Sequence, residues 1–291
     1  MNYQKTNLEH SFLRILKNIP NPPKQLYLRG QLPNYAKRPK TVAIVGSRRS
    51  TGYGEKIAYK LAYELAKNSI CVVSGLAYGI DSVAHRACLD ADGVTVAVLG
   101  TEINKIYPIS HTALARRILQ KGAIISEYNE RDIIYPKTSF LKRNRLISGL
   151  ADVVIIVEAS EHSGTFSTAS HALEQGKELF VVPGDITRPN SVGCNRIISQ
   201  GAHIYTGVED VLKILFPKRR LNNKDAFVNK IKDLPNTERE IIKLIHEGTN
   251  DGEEIIKKLN FETREFNQCI TVLEIKGYVT PLGFNRWMLT I

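Results

Sequence analysis

No stretch of this 291-residue chain approaches the roughly 20 consecutive apolar residues that a bilayer-spanning helix needs. The N-terminus, MNYQKTNLEH, holds no apolar signal core. Both absences argue against a membrane role and lead to the expectation of a cytoplasmic protein. Cysteine is sparse and unpatterned: Cys71, Cys88, Cys194 and Cys269 form no C-x-x-C pair and have no nearby His at ligand spacing. That excludes a sequence-encoded zinc centre or disulfide frame, and the four read as small buried apolar residues. No Gly-Lys-Ser/Thr tripeptide occurs, so a P-loop nucleotide motor is disfavoured. The G-x-G-x-x-G turn of dinucleotide enzymes is missing too, because Arg48 stands at its second glycine, and the strand that should end on an acidic residue ends on Ser74 and Gly75. No cofactor and no metal are expected.

What the chain does have is positive charge, unevenly distributed. The formal net charge is +11. Residues 225–291 hold 9 Lys and Arg against 11 Asp and Glu, which leaves 31 against 18 in residues 1–224. The basic balance belongs to the larger part alone, and it suggests a polyanionic partner or a solubility device.

The organising stretch is residues 41–54, TVAIVGSRRSTGYG. A buried-strand run ends on Gly46, passes through Ser47, Arg48, Arg49, Ser50 and Thr51, and enters a helix near Tyr53. Unpaired N–H groups and the helix dipole converge at such a turn, and two arginines add full charges. The same loop also reads as a solvated turn whose arginines pair with nearby acids.

Residues 1–40 read as an amphipathic helix (Leu8, Phe12, Ile15, Leu16, Ile19) stopped by Pro20, then an extended lead-in, with a packing role. From Thr41 strands near 70–74, 94–99, 123–126, 153–157, 179–182 and 203–205 alternate with helices near 112–120, 140–150, 167–176 and 193–199. Near-continuous apolar strands separated by helices predict an α/β, doubly wound, mostly parallel sheet covered on both faces, with ligands beyond the carboxyl ends of the strands. Those exits carry Gly75 and Gly79 after one strand, and Ser163, Gly164, Thr165 and Thr168 after another. Small residues and hydroxyls at helix starts suit phosphate oxygens, and they also suit ordinary capping.

Lys137, Lys142, Arg143 and Arg145 cluster around Phe140. Cations interleaved with a ring fit a single-stranded nucleic acid; equally, Phe140 fits a core position with the arginines bracing the helix against Glu127 or Glu158. At least one of Arg143 and Arg145 is expected to be structural. Asp81, His85 and Glu127 form no acid/base set that spacing supports, and Asp81 as a cap with a packed His85 is the simpler reading. Residues 218–235 read as a linker, and 236–291 as three helices and a hairpin, a winged helix whose third helix lacks surplus positive charge. The expected division is therefore 1–40, 41–217, 218–235 and 236–291.

Taken in order, VAIVGSRRSTGYG, VVSGLAYGIDSVAH, VLGTEINKIYP, ISEY, FLKRNRLISGL, EASEHSGTFSTA, VVPGDI and SVGCNRIISQGA resemble the DNA-processing protein A family, DprA or Smf, across about residues 20–206. The family's optional N-terminal sterile-alpha-motif-like domain has no counterpart in these residues. Leu141 departs from the family's Phe-Pro-x-Arg-Asn-Arg pattern. The resemblance implies an extended Rossmann fold that binds single-stranded DNA without strong sequence preference, dimerises, and loads the recombinase RecA in natural transformation, with no enzymatic activity. It implies a phosphate turn at Gly46, Ser47 and Arg48 and a basic segment at Lys137, Phe140, Arg143 and Arg145. The competing expectation is a nucleotide-binding protein or nucleoside-monophosphate phosphoribohydrolase of the lysine-decarboxylase-like type. SGTFSTA keeps that type's Gly164 and Thr165 but places Ser167 and Thr168 where its catalytic acid belongs. A duplex-specific regulator acting through residues 236–291 is opposed by their charge balance.

Overall fold

The computed structural model describes residues 3–33, 38–161, 163–217 and 231–290, with Pro136 and Lys137 described for their backbone alone. The chain divides into two compact units, Met1–Arg219 and Arg220–Ile291.

The large unit is built on a nine-stranded sheet. Its strands are β1 (Gln4–Thr6), β2 (Leu26–Gly30), β3 (Thr41–Gly46), β4 (Cys71–Ser74), β5 (Thr95–Glu102), β6 (Ala123–Tyr128), β7 (Val153–Glu158), β8 (Glu178–Val181) and β9 (His203–Ile204), in the spatial order β1-β2-β6-β5-β4-β3-β7-β8-β9. Pairing is parallel from β6 through β9, while β1–β2 and β2–β6 are antiparallel. Strands wind outward from β3 in both directions. The order reverses between β3 and β7, and that crevice is where a doubly wound sheet places its ligand.

Strand sequence explains the two-sided burial. Along β5, Val96 and Val98 join the core made with Leu146, Ile147 and Leu150, whereas Ala97 and Leu99 join the opposite core with Leu114, Ala115 and Ile118. Period-2 alternation places successive side chains on opposite faces, and both faces here are covered, so both phases are apolar. The helices are α1 (Gly52–Lys67), α2 (Ile80–Asp90), α3 (Thr112–Lys121), α4 (Pro136–Leu150), α5 (Thr165–Glu174), α6 (Pro189–Ser199) and α7 (Val208–Leu215). In α1 the residues Ala58, Leu61, Ala62 and Leu65 are buried, and the spacing matches one face of a 3.6-residue helix. Among the described residues no helix is long and apolar enough to cross a membrane.

Two parts of the N-terminal reading change. The expected amphipathic helix is a short 3-10 helix, Arg14–Asn18, preceded by turns. Its apolar residues still pack, since Phe12, Leu13 and Leu16 are fully buried in the core of the large unit. The extended lead-in LYLRG is β2, a member of the main sheet paired with β6. Strand β1 and helix α7 were not anticipated. Both are short, at 3 and 8 residues, below the length at which periodicity stands out.

The small unit contains α8 (Asn236–His246), α9 (Gly252–Leu259), α10 (Thr263–Ile275) and an antiparallel hairpin of β10 (Val279–Gly283) and β11 (Arg286–Leu289). Phe266 and Trp287 meet edge to face in its core, with ring centroids 5.5 Å apart. Ile231 and Leu234 are buried in that core, so the described end of the stretch read as a linker packs into this unit. Residues 218–230 lie outside the described residues.

Candidate functional site

At the carboxyl edge of the sheet, beside the β3/β7 crossover, lies a groove of about 850 Å³. Its lining comes from the loop after β3, from α4, from the turn before α5 and from the start of α6. Gly46, Ser47, Arg48, Arg49, Phe140, Arg143, Ser163, Gly164, Thr165 and Thr168 all line it. With Ala77 and Asp81, Tyr107 and Asn190, residues from six separate stretches of sequence share one concavity.

The loop Ser47–Arg49 is held rigidly by its own polar groups. Ser47 Oγ accepts from the Arg49 N–H at 3.1 Å, Ser47 O accepts from the Ile80 N–H at 3.2 Å, and Asn190 Nδ2 donates to Arg49 O at 2.7 Å. Gly79 lies directly beneath: its φ is +72°, and a Cβ there would stand 2.2 Å from Ser47 O. Only glycine meets both demands at that position. With the backbone fixed from below, both arginine side chains are exposed and neither forms an ion pair among the described residues.

Phe140 is the groove's central ring. The Arg48 guanidinium lies 5.3 Å from its centroid, the Arg143 guanidinium 5.9 Å away, and the Tyr107 ring 5.5 Å away at 44°. Two cations against one ring are stabilised by its quadrupole, so Phe140 gathers the arginines instead of merely filling core. Tyr107 was missed in the sequence. Its position at the exit of β5, ahead of Pro108, was the available signal.

Arg143 is 4% exposed and works inward. Its Nη1 donates to Gly75 O at 2.8 Å and to Val98 O, and its Nε donates to Asn144 Oδ1 at 3.2 Å. Burial pulls its pKa down to about 10, with Asp81 opposing, so it stays charged at neutral pH. Gly75 is required by closeness, since a Cβ would sit 2.6 Å from Arg143 Nη1. Asp81, itself buried, accepts from the Gly75 N–H at 3.0 Å; burial raises its pKa while Arg143 counteracts that. This arrangement charges the groove floor without exposing an acid.

Several other candidate residues are engaged elsewhere. Arg145 is paired with Glu127 at 2.5 Å, both largely buried, away from the groove. Ser50 Oγ donates to Glu55 at 2.8 Å. Thr51 donates through its N–H to Glu158 Oε2 at 2.9 Å and through its hydroxyl to Oε1 at 2.5 Å. The start of α1 therefore meets a carboxylate of the chain itself, which differs from its reading as an open anion site. Ser163 Oγ accepts from the Thr165 N–H at 3.2 Å and donates to the Thr165 hydroxyl at 2.8 Å, a local turn contact. Gly75 and Gly79 support the groove from beneath. Lys142 is exposed on α4 outside the lining, and the Lys137 side chain lies outside the described residues. His85 is fully buried, with Nδ1 2.7 Å from Thr95 Oγ1, as a packed histidine would be.

Asp81, Tyr107, Leu141, Asn144, Ser160 and Asn190 line the groove without having been singled out as contacts. Asn190 follows the VPGDI exit of β8. Asp81 is the sole acidic residue in the lining, against Arg48, Arg49 and Arg143. Among the described residues no cluster of three or more His, Cys, Asp or Glu side chains is arranged to hold a metal ion.

Comparison with known proteins agrees with this geometry. The family model described as "DNA recombination-mediator protein A" matches residues 5–216. "DNA processing protein DprA" of Bacillus subtilis is 37% identical over 212 residues, 73% of this chain and 70% of that protein. "Protein Smf" of Escherichia coli is 42% identical over 194 residues, 66% of this chain and 51% of that protein, so the chain spans about half the length of some of the curated relatives it matches. Among solved structures, DNA processing protein A of Streptococcus pneumoniae is similar with a TM-score of 0.65 at 35% identity, covering 72% of this chain and 73% of that one. A Helicobacter pylori DNA processing protein A, solved for its single-stranded DNA binding mode, is similar with a TM-score of 0.64 at 35% identity, covering 74% and 96%. Matched over residues 5–216, the chain belongs to the DNA recombination-mediator protein A family, also called DprA or Smf.

Proposed function

We propose that the large unit binds single-stranded DNA through its phosphates, without reading sequence and without catalysing a reaction. The observation that carries this is the groove beside the β3/β7 crossover, where Arg48 and Arg49 stand exposed and unpaired among the described residues. Phosphates seek such cations, and a groove with one buried carboxylate offers little repulsion. Arg48 and Arg49 are the direct contacts in this reading. Arg143 and Phe140 hold Arg48 in position, and the exposed part of Phe140 and Tyr107 offers a surface for a base. Gly46, Ser47, Ser163, Gly164, Thr165 and Thr168 shape the wall.

In the same reading the protein works in the cytoplasm as a homodimer, protects incoming DNA, and loads RecA onto it in natural transformation. The small unit serves as a winged-helix module for protein contact. The nucleotide-hydrolase alternative needs a free carboxylate on the first turn of α5, where Ser167 and Thr168 stand. The carboxylate in the groove is Asp81, already engaged by the Gly75 N–H. The decisive test is anisotropy titration of labelled oligo-dT at low and moderate salt with wild type and Arg48→Ala. Weaker, less salt-sensitive binding by the variant is expected; equal curves would remove the reading, and release of adenine from AMP by the purified protein would restore its rival.

A further inference from the structure

A doubly wound sheet reserves its crossover crevice for a ligand, and phosphate normally occupies the helix N-terminus that opens there. In this protein that place is already filled. Gly46 at the end of β3 and Glu158 at the end of β7 are register partners across the crossover. The Glu158 carboxylate reaches under the start of α1, where both its oxygens accept from Thr51. It is 4% exposed. Gly54, one turn into α1, lies so close that a Cβ would sit 2.4 Å from the carboxylate carbon. A carboxylate set against a helix N-terminus satisfies the N–H groups and the dipole that would otherwise draw an anion.

A second cavity of about 290 Å³ adjoins Glu158, lined by Thr51, Tyr53, Glu158, Asp185, Arg188 and Asn190 among others. It presents two carboxylates to an incoming phosphate against one cation, Arg188, whose Nε already lies 3.7 Å from Asp185.

We propose that Glu158 is a built-in anion at the β3/β7 crossover: it fills the phosphate position of the fold, shuts out free nucleoside phosphates, and leaves only the arginine groove open to the phosphates of a strand. It acts as a specificity-determining residue. The inference rests on the strand-binding reading for what the open groove holds, but the exclusion itself does not. An Asp in its place would be one methylene short of Thr51. Gln there removes the local negative charge while its amide oxygen can still accept from Thr51, and Ala in addition frees the Thr51 N–H and hydroxyl, so phosphate should gain access.

The test compares the full chain with Glu158→Gln and Glu158→Ala. Thermal unfolding is measured in inorganic phosphate and in chloride of equal ionic strength, and labelled oligo-dT is competed with AMP. Wild type should show no phosphate-specific rise in Tm, whereas at least one folded variant should show one, with AMP displacing the oligonucleotide at about tenfold lower concentration than in wild type. A wild type that phosphate stabilises as much as the variants overturns the proposal. So do folded variants that ignore phosphate, and so does loss of a cooperative transition in both variants, which would make Glu158 a scaffold residue only. If Arg48→Ala leaves oligo-dT binding intact while the Glu158 variants gain phosphate, the strand reading falls and the plug stands.

Discussion

Two pairs of arginines, close in kind and far apart in circumstance, define what this protein's surface can do. Arg48 and Arg49 sit in a loop braced from below, and their side chains end in solvent. Arg143 and Arg145 sit on α4 and end inside the protein, one on backbone carbonyls and the other on Glu127. Charge alone does not separate the pairs. What separates them is whether the guanidinium reaches solvent, because only donors in reach of solvent are available to a polyanion. The contrast can be broken by showing that a buried arginine governs binding without affecting stability, or that an exposed one governs folding.

The largest effect should come from Arg145→Ala. Removing one partner of a buried ion pair strands the other, at a cost of about 3–5 kcal/mol. Among the described residues Arg145 Nε and Nη1 and Glu127 Oε2 have no hydrogen-bond partner, so this pair holds few bonds besides the one between its members. Urea unfolding should show that loss, and the double change Arg145→Met with Glu127→Leu should recover much of it, because two apolar side chains leave nothing unsatisfied. Full recovery of oligo-dT binding in the double variant would confine this pair to the scaffold.

Arg143→Ala should rank next. It leaves the Gly75 and Val98 carbonyls without their donor and removes the charge opposite Asp81, so a loss of about 1–3 kcal/mol is expected from the unsatisfied groups. Oligo-dT affinity should fall with it, because Arg48 loses part of the Phe140 arrangement. Unchanged stability would mean that the guanidinium is not anchored inward.

Acid sharpens the same distinction. Burial, with smaller contributions from His111 and Arg143, lowers the His85 pKa to about 3. The unfolded chain takes up a proton near pH 6.5 while the folded chain does not, so stability is complete above that value and declines as pH falls toward 3, by about 1.4 kcal/mol per pH unit. Replacing His85 with Gln should flatten that part of the acid unfolding profile. His85 lies outside the groove lining, so binding per folded molecule should not follow the same curve.

Much of this was legible beforehand because it depends on local pattern. Continuous apolar strands such as Val153–Val157 and the glycine-serine exits identify a parallel sheet and its ligand edge. The arginine loop follows directly from residues 46–51. What could not be read is pairing across distance. Glu127 was expected as a brace for the arginines of α4, and it pairs with Arg145, 18 residues away, but nothing near Arg145 says which of the two arginines it holds, and nothing near Thr51 announces Glu158, 107 residues away. Tyr107 and Asn190 join the groove only because strands β5 and β8 deliver their exits to the same edge. The N-terminal segment was misread for a related reason: its apolar residues mark burial correctly, but burial against a sheet does not require a helix, and a 3-10 turn brings Phe12, Leu13 and Leu16 inward as well.

The smallest effect on folding should belong to the arginines that matter most for binding. Arg48→Ala removes an exposed side chain whose contact within the protein is the Phe140 face, so stability should change by about 0.5 kcal/mol or less. Binding should respond differently. For a single strand, each neutralised phosphate contributes about 0.7 to the slope of log affinity against log salt, so the slope should become shallower by about that amount for Arg48→Ala and again for Arg49→Ala. Lys142→Ala, exposed but outside the groove, is the control and should leave the slope alone. If all three changes reduce the slope equally, the polyanion responds to the domain's overall charge, and the groove has no privileged part in holding it.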